Sequence, residues 1–215
     1  MFVPHRLLRV AVLCSERAPG LLYLLNRTPD RGITFEIACV VSSERTFAEE
    51  VRVERRGVPT LPHPIHEFYA AREASLFRDP MIRAGYDRET AAMLEPYMPN
   101  LVLLDGYRYL VTEPLLAAFP SRVISFQPGV DVSPAAVQLV NARAADARTV
   151  VRASRPWSPD DSDCGRLIGA ALRLIYSGAV DLCELARTNP PPPPWQLDAG
   201  GDFHVPQAAA ELAAT

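Results

Sequence analysis

The sequence predicts an α/β protein: a doubly wound, mostly parallel sheet of about six strands in a three-layer sandwich with helices on both faces. Two observations carry this prediction. Short, continuous apolar runs such as residues 7–14 are typical of parallel strands buried on both faces. These runs alternate with helical patterns along the chain of 215 residues, a length that suffices for one domain with a substantial core.

The first half of the chain shows this alternation in order. Pro19 and Gly20 mark the turn after the first strand, and Gly57 marks the turn before the third. The predicted elements are strand 7–14, a helix from residue 21, strand 33–41, helix 43–56, a brief third strand after residue 60, and helix 84–98. Residues 61–80 combine prolines, histidines and aromatics without a clean period, so no element is predicted there.

The second half continues the pattern and ends in a proline-rich segment. Its predicted elements are strand 101–104, helix 113–119, strand 123–126, helix 135–145, strand 149–152, and a long apolar helix from Ser158 to about residue 186. Ser and Asp side chains at the start of that helix can accept hydrogen bonds from its open N–H groups. Residues 190–194 are all proline, which favours polyproline II. The sequence thus predicts an α/β domain at residues 1–188 and a flexible tail at residues 189–215.

Composition excludes several classes of partner. A net charge of −3 argues against nucleic acid and acidic membranes, because both require a positive face. Glu16 and Arg17 follow the first apolar run directly, which favours a buried strand over a signal peptide.

His63 and His66 lie beside prolines and lack a third ligand in sequence, so they are predicted as surface residues and no metal site is expected. The cysteines lack paired metal-ligand spacing, which favours free thiols in a reducing cytoplasm: Cys14, Cys39, Cys164 and Cys183.

Residues 85–107, GYDRETAAMLEPYMPNLVLLDGY, resemble the core of the folate-dependent formyltransferases. That family has a similar Tyr-Asp-Arg helix, followed by an apolar strand and a glycine-aromatic turn. The resemblance implies the formyltransferase fold, with 10-formyltetrahydrofolate or tetrahydrofolate as the ligand. It also implies that Arg83 lies at the rim of the site, and that the pterin ring is held largely by the main chain of the next segment: Asp105, Gly106, Tyr107, Arg108, Tyr109, Leu110 and Val111.

The same resemblance assigns the turn after the first strand to the family's phosphate loop. Family members carry a Ser-Gly-x-Gly-Ser-Asn type of loop there, whose N–H groups hold the phosphate of a ribonucleotide. Here Pro19 has no N–H to donate, and Glu16 places a negative charge at an anion site. Arg17 could still meet a phosphate. The sequence predicts a degenerate loop composed of Ser15, Glu16, Arg17, Ala18, Pro19 and Gly20.

The catalytic positions of the family also differ in this chain. Where the family's strand ends in Asn-x-His-Pro-Ser, this chain has Ser125-Phe126-Gln127-Pro128-Gly129. Gln127 can donate a hydrogen bond but does not titrate near neutral pH. The family's later aspartate has no recognised counterpart between residues 149 and 156. Asp105 is the most plausible surviving acid, although a turn residue that caps local N–H groups is an equal alternative.

The sequence therefore predicts a formyltransferase-fold protein without ordinary activity, which binds a small molecule or regulates, with a ligand cleft near residues 105–111 and 125–129. Loss of an oxyanion donor costs about 10²–10³ in rate and loss of an acid–base group about 10²–10⁴. One alternative is an active formyl or acyl transferase in which Gln127 and Asp105 polarise the substrate and move the proton. Another is a structural partner that forms a homo-oligomer through the long helix and the proline tail.

Overall fold

The computed structural model describes residues 7–26, 35–76, 78–129, 133–141, 148–154, 161–198 and 202–204. Its strands are β1 (Leu8–Cys14), β2 (Phe35–Ser42), β3 (Thr60–Pro62), β4 (Leu101–Leu104), β5 (Val123–Gln127), β6 (Ala136–Leu139), β7 (Arg148–Ala153), β8 (Trp195–Leu197) and β9 (Phe203–His204). Its helices are α1 (Leu21–Asn26), α2 (Glu50–Glu54), α3 (Ile65–Ala70), α4 (Pro80–Leu94), α5 (Glu113–Ala118), α6 (Asp161–Tyr176) and α7 (Leu182–Arg187). The α/β class is confirmed, with nine strands in the described residues rather than about six.

The chain divides into two compact units. The first unit comprises Leu7–Ala18 and Thr34–Val123. The described residues of the second unit come from Pro19–Ile33 and Ile124–Thr215. No helix among the described residues is both long and apolar enough to span a membrane.

The first unit contains a parallel sheet in the order β3-β2-β1-β4. β1 is its centre: Val10 pairs with Ile37 of β2 on one side and with Leu101 of β4 on the other. Six of the seven β1 residues are buried, as expected of a strand covered on both faces. Because these strands are parallel, the loops after β1, β2 and β4 all leave from the same edge of the sheet.

Two helices of the first unit begin and end differently from the prediction. α4 begins at Pro80 because the Asp79 side chain accepts hydrogen bonds from the N–H groups of Met81 and Ile82. The predicted helix 43–56 is wrong before α2: the Ser43 N–H donates to the Cys14 carbonyl, 2.9 Å away, so this backbone is tied to β1. Strand-to-loop bonding thus replaces the first turns of the predicted helix.

The second unit contains the order β5-β6-β7-β8-β9, in which only β7 and β8 pair in parallel. The predicted helix 135–145 is wrong, because residues 136–139 form β6 between β5 and β7. Alanine favours helix, but pairing on both edges outweighs that preference. The mostly parallel arrangement therefore holds for the sheet of the first unit and not for this one.

The described part of the predicted tail, residues 189–198 and 202–204, contains the two short strands β8 and β9. β8 pairs with β7, with Trp195 opposite Val151, and β9 pairs with β8. The long predicted helix is interrupted after α6, where Gly178 has a φ of +75° and reverses the chain. α7 then begins at Leu182, directly after Asp181, whose side chain accepts hydrogen bonds from two backbone N–H groups of that helix. The predicted helix start at Ser158 lies outside the described residues.

α1 packs against α6 inside the second unit, at two glycines one turn apart. A Cβ added at Gly165 would lie 2.3 Å from the Tyr23 Cβ, far closer than real contacts. A Cβ added at Gly169 would lie 3.7 Å from a methyl group of Leu24, an ordinary contact distance. Gly165 is therefore the position at which the two helices need the absence of a side chain.

Candidate functional site

Three loops meet at one edge of the first unit's sheet and carry most of the predicted site residues. We call residues 15–18 the β1 loop and residues 105–112 the β4 loop; the third loop begins at Ser43, after β2. Ser15, Ser43 and Asp105 are all buried at this edge, with 0, 1 and 0% of their surface exposed. Buried polar side chains at the carboxyl ends of parallel strands are typical of a ligand-binding edge.

Ser15 joins the three loops through its hydroxyl group. Its Oγ lies 2.7 Å from the Ser43 Oγ, and it accepts a hydrogen bond of 3.2 Å from the Arg108 N–H in the β4 loop. The Ser42 hydroxyl donates to the Ser15 carbonyl oxygen, 3.2 Å away. The hydroxyl and carbonyl groups of Ser15 are therefore both hydrogen-bonded within the protein, and this residue holds the β4 loop against β1.

The remainder of the β1 loop contacts a carboxylate of the chain itself. The Ala18 N–H donates to Oε2 of Glu49 at 2.9 Å, and Arg17 Nε lies 3.6 Å from Oε1 of the same residue. A second hydrogen bond joins the same two segments, because the Ala48 N–H donates to the Glu16 carbonyl oxygen, 2.9 Å away. Glu49 cannot be recognised as a site residue from the sequence, because nothing in the local pattern of residues 46–50 shows what its side chain contacts. The two other residues of the predicted phosphate loop, Pro19 and Gly20, belong to the second unit.

Helix α4 fastens the β4 loop at two points. Arg83 Nε donates to the Leu110 carbonyl at 3.1 Å, and Arg83 Nη1 lies 2.7 Å from Oδ1 of Asp87. The other oxygen of Asp87 accepts from the Thr112 N–H at 2.5 Å and from the Thr112 hydroxyl at 2.6 Å. Burial raises the pKa of Asp87 above its ordinary value. The charge of Arg83 and the hydrogen bonds from the Thr112 N–H and hydroxyl groups lower the pKa and offset part of this effect. Arg83, predicted at the rim, is only 6% exposed and serves this internal network.

The tip of the β4 loop carries aromatic and apolar side chains. The rings of Tyr107 and Tyr109 meet edge to face with centroids 5.7 Å apart, and Leu110 is 78% exposed. The Tyr109 hydroxyl lies 3.3 Å from a Glu44 carboxylate oxygen and 3.4 Å from His66 Nε2. Such a tip can offer apolar contact to a flat ring while its backbone is held from behind.

Arg108 and Asp105, two predicted ligand-binding residues of the β4 loop, both contact other parts of the first unit. Arg108 forms a two-bond ion pair with Glu16, with distances of 2.8 and 2.5 Å, but both side chains are more than half exposed and the pair adds little stability. Asp105 is completely buried, and its N–H donates to the Leu13 carbonyl at 3.0 Å. Burial raises the pKa of the Cys14 thiol, and the charge of Asp105 raises it further.

The two predicted histidines occupy different surroundings. His63 stacks on Tyr86 with ring centroids 4.1 Å apart, and the Tyr86 hydroxyl donates to the His63 carbonyl at 2.6 Å. His66 is exposed and contacts Tyr109. Within the described ranges, no group of three or more His, Cys, Asp or Glu residues is placed to hold a metal ion.

The predicted catalytic positions lie at the end of β5 in the second unit. The Gln127 Nε2 donates to the Ser125 Oγ at 2.8 Å, so the two side chains satisfy each other. Gly129 follows at a place where an added Cβ would lie 2.6 Å from the Ser133 carbonyl oxygen, which requires glycine at this turn. The stretch in which the sequence shows no counterpart of the family's aspartate, residues 149–156, is described as far as residue 154, and its described residues include no aspartate.

Comparison with known proteins supports the fold. No family model matches the chain. Glycinamide ribonucleotide transformylase 1 from Symbiobacterium toebii aligns with a TM-score of 0.65 and 22% identity over 80% of this chain and 89% of that one. A formyltetrahydrofolate deformylase from Pseudomonas syringae aligns with a TM-score of 0.62 and 17% identity over 81% of this chain and 63% of that one.

One curated relative is similar in sequence. The trifunctional purine biosynthetic protein adenosine-3 of Bos taurus is 22% identical in an alignment 213 residues long. The alignment covers 83% of this chain. The match covers 19% of that protein, so the chain spans about one fifth of its length. Together with the solved structures, this similarity confirms the predicted resemblance and the fold class.

Proposed function

Starting from the formyltransferase fold of this chain, we propose that the protein binds a ligand of the folate type and does not transfer a formyl group by the family's Asn, His and Asp chemistry. The hydrogen bond from Gln127 to Ser125 carries this proposal. By the sequence resemblance these side chains correspond to the family's asparagine and histidine, and they are hydrogen-bonded to each other. Neither group titrates near neutral pH, so neither can relay the proton of an attacking amine.

The chemical deficit is large. Formyl transfer needs a donor for the developing oxyanion and a group that accepts the proton of the amine. Loss of the first costs about 10²–10³ in rate, and loss of the second about 10²–10⁴. The two losses are not additive. Even the smaller one suffices to remove useful turnover from an enzyme of ordinary efficiency.

The β4 loop supports the binding half of the proposal. Its backbone is fastened by Arg83 at Leu110 and by Asp87 at Thr112, so little conformational entropy remains to be lost when a ligand binds. Tyr109 and the exposed Leu110 at its tip suit contact with a flat heteroaromatic ring. The name of one similar protein, a formyltetrahydrofolate deformylase, favours a folate as that ring.

We place this role in one-carbon metabolism of the cytoplasm, where free thiols remain reduced. All four cysteines are free, and three of them are buried. The protein would act as a folate-binding or regulatory component related to purine biosynthesis. A homo-oligomer remains a prediction that sedimentation velocity checks.

Calorimetric titration tests the binding half, with three separate ligands: tetrahydrofolate, 10-formyltetrahydrofolate and glycinamide ribonucleotide. We expect heat from both folates and none from the ribonucleotide. The matched variant is Thr112→Val, which keeps the side-chain shape but removes the hydroxyl bond to Asp87. Weaker folate binding is expected for this variant, because the loop is less firmly held. No heat with either folate would refute the proposal and leave only the fold.

An active transferase that uses Gln127 and Asp105 is less well supported. The Asp105 side chain is completely buried, so it cannot reach a substrate amine without movement of the β4 loop. This alternative predicts a measurable turnover that Gln127→Ala and Asp105→Asn each depress.

A further inference from the structure

The β1 loop surrounds a carboxylate that belongs to the chain itself. Glu49 is 4% exposed, and its two carboxylate oxygens face Ala18 N–H at 2.9 Å and Arg17 Nε at 3.6 Å. Glu49 directly precedes α2, where a side chain commonly accepts from the helix's own open N–H groups. It makes no such capping bond. Its carboxylate is directed to the β1 loop instead.

The surroundings of this carboxylate are those of an oxyanion site. A buried carboxylate is tolerated only where donors and positive charge compensate for the water it loses. A backbone N–H and a guanidinium supply both here, and the same pair of groups binds phosphate and sulfate in proteins. The bond from the Ala48 N–H to the Glu16 carbonyl clamps the two segments together on the other side. The site is thus preformed on both segments.

The neighbouring carboxylates of Glu16 and Glu50 do not compete with Glu49 for the Ala18 N–H. Glu16 lies on the same loop, but its carboxylate is paired with the Arg108 guanidinium. Glu50, the next residue along the chain, makes no described hydrogen bond to the β1 loop. Glu49 is therefore the anion that the Ala18 N–H holds.

We infer that the Glu49 carboxylate is a resident substitute for an external oxyanion in the β1 loop. The wild-type loop takes no phosphate, because its donors are already used and a second anion would be repelled. Removal of the Glu49 carboxylate opens the same position to inorganic phosphate. It follows that any natural ligand of this edge carries no phosphate monoester at the β1 loop. The inference goes beyond folate binding, and its test requires no folate.

Thermal unfolding with and without inorganic phosphate tests the inference on Glu49→Ala. The variant should unfold about 4–8 °C below the wild type in a buffer free of oxyanions, because the Ala18 N–H loses its acceptor. With a phosphate affinity of about 1 mM, addition of about 10 mM phosphate should raise the Tm of the variant by roughly 3–5 °C. The wild type should shift by less than about 1 °C under the same conditions.

Three further variants separate the loop site from general salt effects. Glu50→Ala removes an adjacent carboxylate and should respond to phosphate like the wild type. Glu49→Gln keeps the shape and an acceptor oxygen, so it should fold without a gain from phosphate. Arg17→Met added to Glu49→Ala should abolish most of the gain. Calorimetric titration of phosphate into Glu49→Ala, with an expected stoichiometry of one, gives the affinity directly.

Two results would overturn the inference. One is a wild type that is stabilised by phosphate as strongly as Glu49→Ala. The other is a Glu49→Ala variant without response to phosphate, including a variant that does not fold even when phosphate is present. A failure of folate binding would leave the inference untouched, because its readout depends on phosphate and Glu49 alone.

Discussion

At the residue scale, the buried Asp87 side chain joins helix α4 to the β4 loop. It pairs with Arg83 on its own helix and accepts two hydrogen bonds from Thr112. The spacing of Arg83 and Asp87, four residues apart, is visible in the sequence as a helical pair. The contacts of Arg83 and Asp87 with residues 110 and 112 are not visible in the sequence, because these contacts depend on the path of the chain after β4.

Replacement of Asp87 by alanine should be strongly destabilising. The change leaves the buried Arg83 guanidinium without its carboxylate, and loss of one partner of a buried pair costs about 3–5 kcal/mol in the free energy of unfolding. Urea denaturation measures this loss, and hydrogen exchange should show faster exchange at the Thr112 amide. The control is Glu89→Ala, which breaks an exposed pair with Arg72 and should cost less than about 1 kcal/mol. A loss below 1 kcal/mol for Asp87→Ala would contradict the role assigned to this network.

His63 should make stability depend on pH. Burial lowers the pKa of His63 below its ordinary value of 6.5, and its Nε2 has no hydrogen-bond partner among the described residues. Because the folded protein resists protonation, its stability is complete above the unfolded pKa of about 6.5 and falls as the pH drops towards the folded pKa. The loss at pH 5.5 is at most about 1.4 kcal/mol from this group.

The measurement is the Tm of wild type and His63→Phe at pH 7.5 and pH 5.5. Phenylalanine keeps the stack on Tyr86 but cannot titrate, so the variant should lose less stability on acidification than the wild type. His66→Asn, at an exposed position, should behave like the wild type. Equal acid sensitivity of wild type and His63→Phe would argue against a titrating His63.

Contacts between residues can be predicted from the sequence where neighbours along the chain decide them. Ser125 and Gln127 are two apart on one strand, so their side chains lie on the same face, and the bond between them follows from the strand alone. Glu49 went unrecognised because its partner, Ala18, is 31 residues away in sequence. No pattern at either position indicates the other.

At the element scale, the strands of the first unit could be predicted and the later ones only in part. β1, β2 and β4 are buried on both faces and therefore appear as continuous apolar runs. β6 was missed because its four residues include alanine and glutamine, and its strand state depends on pairing with β5 and β7. β8 and β9 were missed because they are only three and two residues long.

The contact between α1 and α6 gives a prediction at this scale. Gly165→Ala places a methyl group against the Tyr23 Cβ, which cannot move without its backbone, and overpacking of this kind costs about 1–3 kcal/mol. The gain in helix propensity, up to about 1 kcal/mol, offsets only part of that cost. A fall in Tm of roughly 2–6 °C is expected by calorimetry.

Gly169→Ala is the matched control on the same helix. Its methyl group would meet Leu24 at 3.7 Å, which is ordinary contact, so only the gain in helix propensity remains. This variant should be as stable as the wild type or slightly more stable. If both alanine variants change the Tm alike, the close approach at Gly165 does not limit the packing of α1.

At the scale of the whole molecule, the chain has the fold of the formyltransferases. The replacement of the family's catalytic side chains belongs to the proposed function. The resemblance of residues 85–107 was sufficient to predict the fold, and structures at 22% identity or less confirm it. The common position of the loops after β1, β2 and β4 could be predicted, because parallel strands place their loops together at one edge of the sheet. The internal network of these loops could not, because buried ion pairs and loop contacts depend on the complete three-dimensional structure.

The central claim is that this protein binds a folate without transferring its formyl group. The most direct test is the initial rate of tetrahydrofolate formation from 10-formyltetrahydrofolate and glycinamide ribonucleotide, measured at saturating folate for the wild type and Gln127→Ala together. We predict no rate above the protein-free background for either. A wild-type rate well above background that falls by about 10²-fold or more in Gln127→Ala would contradict the claim and identify Gln127 as part of a working active site.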